Sequence, residues 1–318
     1  MIDNRTTLDP RASVLEHVLL PETRGIEIGP YRRPIAPKAK GHNTLIVDCF
    51  SRNELVEKAG KTCNNQIGTE TIEEVDVVGD ASRLLDLLRR EGIDAGFDWI
   101  VSSHNFEHLP NPIRFLRDCQ ALLAPHGVLA MVIPDKRFCM DRFQPVATFA
   151  GVVEAWERDD DDLWCAFRQQ ACKVQLDSDG GNASILWTPS CDDPERLRSL
   201  DPRPAFARLR EGLVSKASTV FRGHRWRFTP ASFESLMYDL WVVGLVGLEL
   251  ELVSKLPSGE FIALLKMMGS ELPNVGEVEA HRSLLHRRAE DEAAVVSHAY
   301  RRLEAQLAAL QKEISMNN

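Results

Sequence analysis

Five short apolar runs of β character, with helical patterns and turns between them, constrain this 318-residue chain more than any other feature. They fall at residues 26–28, 44–47, 75–78, 97–101 and 128–133, and each of the first three ends near an acid or a glycine. A helical pattern (Leu84, Leu85, Leu87, Leu88) precedes the fourth run, and a helix over about 113–123 precedes the fifth. Strands alternating with helices predict an α/β fold whose parallel sheet is covered on both faces. Pro125, His126 and Gly127 punctuate the step from that helix to the next strand. Further on, Thr229 reads as an N-cap with Pro230 at the first helical position, opening a helix to about Trp241. Two last β runs, 248–253 and 261–265, are separated by Pro257, Ser258 and Gly259, which is a hairpin signal.

Regularity breaks between about 135 and 228, where an acidic run (159–162) and scattered prolines lie. So long a structureless loop is improbable in a compact domain, and the segment reads as a partly helical insertion. In the tail Val296, Tyr300, Leu303, Leu307, Leu310 and Ile314 recur at spacings of three and four. That seam fits a self-associating coil or a single helix lying back on the domain. The chain thus divides into an N-terminal helical segment (1–23), a main domain (24–270) carrying the insertion, and an amphipathic C-terminal helix (271–318).

With 38 basic against 47 acidic residues the net charge is -9, which disfavours nucleic acid as a general partner. The seven cysteines are odd in number and form no CxxC pair, so neither a disulfide framework nor a thiolate zinc site is suggested. The expected compartment is a reducing cytoplasm. The first residues include Asp3 and Asp9 and have no apolar core of a signal peptide, and the longest uncharged apolar stretch, 240–248, is far too short to span a bilayer.

In open parallel sheets ligands bind beyond the carboxyl ends of the strands, so the residues closing each run are the informative ones. The first run leads into GIEIGPYRRP, with Glu27, Gly29 and Pro30 at its mouth. One glycine stands where a dinucleotide fold would show G-x-G-x-x-G, and Pro30, Pro34 and Pro37 oppose an immediate long helix, so NAD and FAD are disfavoured. Asp48 closes the second run about twenty residues later, the interval at which a carboxylate can accept from a ribose diol. After the third, Asp80 could accept from an adenine amino group and the backbone of Ala81 could read the ring edge.

The segment FDWIVSSHNFEHLPNPIRFLRDCQALLAPHGVLAMVIPDKR, taken with Glu27, Gly29, Asp48 and GDA at 79–81, resembles the class I S-adenosylmethionine-dependent methyltransferases. The resemblance implies a Rossmann-like, seven-stranded, mostly parallel sheet with a terminal antiparallel hairpin, and S-adenosylmethionine as cofactor. It implies methionine contacts at Glu27 and Gly29, ribose contacts at Asp48, adenine contacts at 79–81, and backbone near Ser103 and His104 alongside the cofactor. Within the class, the GPxxxP form, PDKRFCMDR and HRWRFTPASF are similar to methyltransferase-like proteins of polysaccharide and glycan biosynthesis. That overlap covers roughly residues 24–144 and 222–267, and Tyr31 stands where the wider class has a second glycine. The implied activity is methylation of a small molecule or a sugar or glycan precursor. The rival is an inactive scaffold that recruits a glycan-synthesis partner, such as a glycosyltransferase, through the tail, which could equally make a homo-oligomer.

A base that takes the acceptor's proton is sought near the fourth or fifth strand, where His108, Asp135 and His224 are the candidates. Alternatively His108 orders the EHLPNP turn by hydrogen bonding while Glu107 caps the next segment. His104, Glu107 and His108 stand at i, i+3 and i+4 and with His224 could complete an oxygen/nitrogen metal site. Some class I methyltransferases hold a divalent ion on a similar E-x-x-E-H arrangement; here His104 replaces the first acid and nothing else supports a metal, so none is assigned. Between Arg196 and Arg227 nine basic residues face two acids, which could steer an acidic acceptor or form a solvated surface. Lys136 and Arg137 lean toward the first reading.

Overall fold

The structure is a computed structural model describing residues 11, 15–16, 18–20, 22–61, 68–158, 162–176, 197–199, 201–215, 223–267, 269 and 271–294. Strands β1 (Arg24–Ile28), β2 (Asn43–Asp48), β3 (Val77–Val78), β4 (Phe97–Ser103) and β5 (Leu123–Pro134) pair in parallel. Helices α1 (Arg52–Lys61), α2 (Leu84–Arg90) and α3 (Pro112–Leu122) fall between them. The insertion contributes α4 (Phe149–Arg158), α5 (Asp162–Ala171), a small antiparallel pair β6 (Val174–Leu176) and β7 (Leu197–Ser199), and α6 (Arg203–Ser215). Then come α7 (Pro230–Val242), the hairpin β8 (Leu248–Lys255) and β9 (Glu260–Met267), and α8 (Val275–Ala294). The main sheet runs β3-β2-β1-β4-β5-β9-β8, and β9 is antiparallel to both its neighbours. This is the seven-stranded, mostly parallel sheet with a closing hairpin that the resemblance implies.

Alternation along the strands builds the two faces. Ile100, Leu129, Met131 and Ile133 join the larger core beneath α2, α3 and α7, while Trp99, Val101, Val128, Ala130 and Val132 point to the other face, where Leu15, Leu19, Ile35 and Ala36 cover them. Two expectations shift. The run 75–78 shortens to Val77–Val78, because the Asp76 carboxylate accepts from Ile46 N at 2.7 Å and takes the place of a ladder carbonyl. Pro125, His126 and Gly127 lie inside β5, which starts directly after α3; pairing slips there between Phe97↔Leu123 and Trp99↔Val128.

The Thr229 cap forms as predicted. Its Oγ1 accepts from Ser232 N at 3.3 Å, and Ser232 Oγ accepts from Thr229 N at 2.8 Å. Helix α8 lies along α7 through Arg282 on Asp239 and Arg288 on Glu234, with Leu285 buried. The heptad seam from Val296 to Ile314 lies outside the described residues, as do the first ten residues. Among the described residues, Cys49, Cys119, Cys139, Cys165 and Cys172 are free thiols, and no helix is long and apolar enough to cross a membrane.

Candidate active site

Crossovers leave β1 and β4 in opposite directions across the sheet, so a crevice opens beyond their carboxyl ends. The candidate residues close these strands. After β1, Gly29 has φ +62°, and a Cβ built there would meet nothing within 4 Å, so the backbone faces open space that a ligand can enter. Tyr31 follows with φ +46°, a left-handed conformation that suits glycine best. The loop therefore keeps a glycine-like path with a tyrosine in it.

Glu27 is fully buried and holds this loop from below. Its Oε1 accepts from Ile35 N at 2.6 Å and its Oε2 from Ala36 N at 3.0 Å. Burial raises its pKa; the two N–H donors and Arg11 oppose the rise, and the balance stands at about 7. Its carboxylate thus shapes the loop that carries Gly29 and Pro30. Asp48, buried at the end of β2, accepts from Phe50 N at 3.0 Å through Oδ1, and burial pushes its pKa upward. Gly79 N donates to Asp48 O at 2.9 Å and joins the second and third strand ends. Asp80 is exposed and caps a 3-10 turn by accepting from Ser82 N at 2.8 Å, with Ala81 buried behind it.

Beyond β4 the chain passes Ser103 and turns at His104, whose φ of +50° is strained for a side chain of this kind. A 3-10 turn, Phe106–His108, follows and is packed down by Phe106 in the main core. It brings the Glu107 carboxylate inward with 1% exposure, facing His104 Nδ1 at 3.4 Å, His108 Nε2 at 3.7 Å and His224 Nε2 at 4.0 Å. Glu107 does not cap the next helix, contrary to one sequence reading. Asn111 does so, its Oδ1 accepting from Arg114 N at 3.0 Å, because the Glu107 side chain turns into the protein.

His104 Nε2 also meets Glu260 Oε1 at 2.6 Å. Burial by itself lowers the His104 pKa, but the hydrogen bonds and charges of Glu107 and Glu260 together outweigh it and carry it to about 9. Glu107 shows the converse balance: burial favours its neutral form, yet the surrounding imidazoles hold it well below the usual carboxylate range. For His108 burial dominates and its pKa falls.

The structure brings two of the three candidate bases together. The rings of His108 and His224 lie 4.8 Å apart, centroid to centroid. His108 Nδ1 is 3.0 Å from Gly223 O, and His224 Nδ1 is 2.5 Å from Asp141 Oδ2. The backbone between is pinned as well, since Arg225 N and Trp226 N both donate to Glu107 O. Asp135 closes β5 as expected, and its carboxylate is paired with Arg137. Both its oxygens accept from Arg137, at 2.9 and 3.0 Å from Nε, and Oδ1 also accepts from Arg137 N. It therefore anchors the arginine beside it. Asp141 and Glu260 were missed in the sequence; they meet His224 across 83 positions and His104 across 156, separations that no local spacing reports.

The Arg196–Arg227 cluster resolves into parts. Arg203, Arg208 and Arg210 are exposed or lie on α6, whereas Arg225 and Arg227 join Arg158 and Arg168 around a cavity of about 390 Å³ that Trp226 also lines. A second cavity of about 950 Å³ lies between Arg32, Arg33, Ile72 and Glu260.

These features agree with comparison to known proteins. The family model described as a methyltransferase domain matches residues 9–239, and the chain belongs to that family. It is an S-adenosylmethionine-dependent methyltransferase. No curated protein matches it. Similar solved structures include the CcbJ methyltransferase from Streptomyces caelestis, 15% identical with a TM-score of 0.42 over 81% of this chain and 89% of that one. An S-adenosylmethionine-dependent methyltransferase from Methanosarcina mazei is 15% identical, with a TM-score of 0.40 over 80% of this chain and 97% of that one. A third, the 1,6-didemethyltoxoflavin-N1-methyltransferase of Burkholderia thailandensis, is 12% identical, with a TM-score of 0.38 over 83% and 80%.

Proposed function

We propose that the chain methylates an anionic small molecule of the sugar or glycan-precursor kind in the cytoplasm. The observation that carries the anionic part is the cavity lined by Arg158, Arg168, Arg225 and Arg227. Its size suits a small ligand, and its four arginines outnumber Glu154, which pairs with Arg158 at 2.8 Å, so the wall favours a phosphate or carboxylate. Its Arg225–Arg227 segment follows His224 directly in the chain, and through Glu107 O it is fixed to the turn after β4. The sugar part rests on the likeness of the GPxxxP, PDKRFCMDR and HRWRFTPASF segments alone.

S-adenosylmethionine supplies an electrophilic methyl group when bound, so the protein's work is to align the acceptor and exclude water. The open backbone at Gly29 and Pro30, with Asp48, Asp80, Ala81 and Ser103 along the same edge, would hold the cofactor. The arginines would hold the acceptor's charge. Release of S-adenosylhomocysteine, measured across matched acidic and neutral sugars and nucleotide sugars, tests the reading. Turnover is expected with the acidic members and should fall when Arg158 and Arg168 are changed to Gln. Equal rates on neutral analogues would overturn it.

A further inference from the structure

The turn after β4 and the segment that follows the insertion set Glu107, His108 and His224 around one point, and we propose that these three side chains bind a divalent first-row transition-metal ion. One ligand atom from each lies within 4.8 Å of the others. Glu107 is 1% exposed; the His104 ring lies 3.4 Å from its Oε1, and no hydrogen-bond donor reaches its Oε2 among the described residues. A buried carboxylate with so few donors gains from a cation bound directly to it.

The outer contacts fix which nitrogens face inward. His108 uses Nδ1 on Gly223 O and His224 uses Nδ1 on Asp141 Oδ2. With the protons on those nitrogens, the two Nε2 lone pairs face Glu107 Oε1, at 3.7 and 4.0 Å. Three acceptors turned on one another favour a bound cation, beyond the contact that His104 already makes with Glu107. Metal-bound histidines have this arrangement, the far ring nitrogen donating to a carboxylate or carbonyl. Bonds of about 2.0 to 2.1 Å at a tetrahedral angle hold neighbouring ligand atoms about 3.4 Å apart, so closure around an ion draws the two Glu107–imidazole distances in by about 0.3 to 0.6 Å and the remaining pair, within 4.8 Å, by up to about 1.4 Å. Two imidazoles and one carboxylate suit manganese, iron, cobalt, nickel or zinc better than magnesium or calcium.

His104 stays outside the set, since its Nε2 is on Glu260; its Nδ1, 3.4 Å from the same Glu107 Oε1, would share that oxygen with the ion. Cys139, Asp141 and His224 also lie close together, but Asp141 already binds His224 and Gln144, which makes it an outer partner. Use of the ion in catalysis, unlike its binding, rests on the methyltransferase reading. An acceptor hydroxyl oxygen in an open coordination position would release its proton to solvent. Its O–CH3 bond then forms as the S–CH3 bond breaks, leaving S-adenosylhomocysteine.

The full chain, stripped with a chelator, is titrated with Co²⁺ by visible absorption and with Zn²⁺ by calorimetry. One equivalent is expected. Glu107→Gln and His108→Gln should each weaken binding at least tenfold, while His126→Gln, at an exposed histidine, leaves it unchanged. His108 is partly exposed, so its variant keeps its circular dichroism and decides the matter if Glu107→Gln does not fold. Absence of saturable binding, or wild-type affinity in His108→Gln, overturns the site. S-adenosylhomocysteine titrated in parallel separates the two readings: metal bound without cofactor supports this site and sinks the other, and the reverse result does the opposite.

Discussion

Replacing Glu27 by Gln keeps the shape of a buried side chain while removing its ability to ionise and one of its two acceptor oxygens. In the folded chain both oxygens accept from backbone N–H groups of the loop, and the carboxyl titrates at about 7 instead of 4.5. Leaving one loop N–H unpaired costs about 1 to 3 kcal/mol. The pH dependence is the sharper quantity. Because the folded pKa is raised, the folded state binds more protons than the unfolded one between pH 4.5 and 7, and stability falls with rising pH across that window. The contribution is whole below 4.5 and gone above 7; its full size is about 3 kcal/mol at about 1.4 kcal/mol per pKa unit. Glu27→Gln lacks this term, and the chain's other titrations cancel between the two proteins. Urea unfolding at pH 5 and pH 8, followed by tryptophan fluorescence, should therefore show the variant less stable at pH 5, with a gap smaller by about 2 to 3 kcal/mol at pH 8. A gap that does not change with pH would refute the argument that burial dominates this carboxyl.

Other substitutions probe the site and its supports. Asp48→Ala should weaken S-adenosylhomocysteine binding by about 1 to 3 kcal/mol, roughly 5- to 150-fold in dissociation constant; an unchanged calorimetric constant would remove Asp48 from the cofactor edge. Gly25→Ala would place a Cβ 1.9 Å from the Trp99 ring, which Thr23 holds by a 3.0 Å hydrogen bond. A loss of about 3 kcal/mol or more is expected on urea unfolding, and wild-type stability would show that the ring can move. A chain ended at Ser270 loses the buried Leu285 and the 2.9 Å contact of Glu292 with Ala231 N. Its thermal midpoint should drop by a few degrees with cofactor affinity kept, and an unchanged midpoint would show that α8 adds nothing to the domain.

Where a feature depends on neighbours in sequence, it could be read beforehand. The parallel sheet follows from the β runs and the helices between them, the hairpin from Pro257, Ser258 and Gly259, and the cap from Thr229 and Pro230. The strand-end residues were legible for the same reason, since the crevice of such a sheet is assembled from them. What escaped was set by distant partners. Asp135 looked available until Arg137 was seen to occupy both its oxygens. Glu107 looked like a cap, and its inward turn depends on histidines from two different segments. Asp76 shortened a strand by side-chain competition with the ladder, which apolar patterning does not register. The pair β6 and β7 has three residues in each strand, too few for the Val-Gln-Leu alternation of β6 to stand out from the irregular sequence around it.

The placement of β9 bears on how the chain emerges during synthesis. Strand β5 is buried along its last eight residues, and β9 supplies the partner on one side of it from 126 or more positions later. Until residue 267 is free of the ribosome, that apolar strand has one unpaired edge, a template on which another nascent chain can add. The same late strand carries Glu260, the partner of His104. The crevice and the protected sheet are thus completed by a single event, the emergence of β9, and products that stop short of it combine an unfinished site with an aggregation-prone edge.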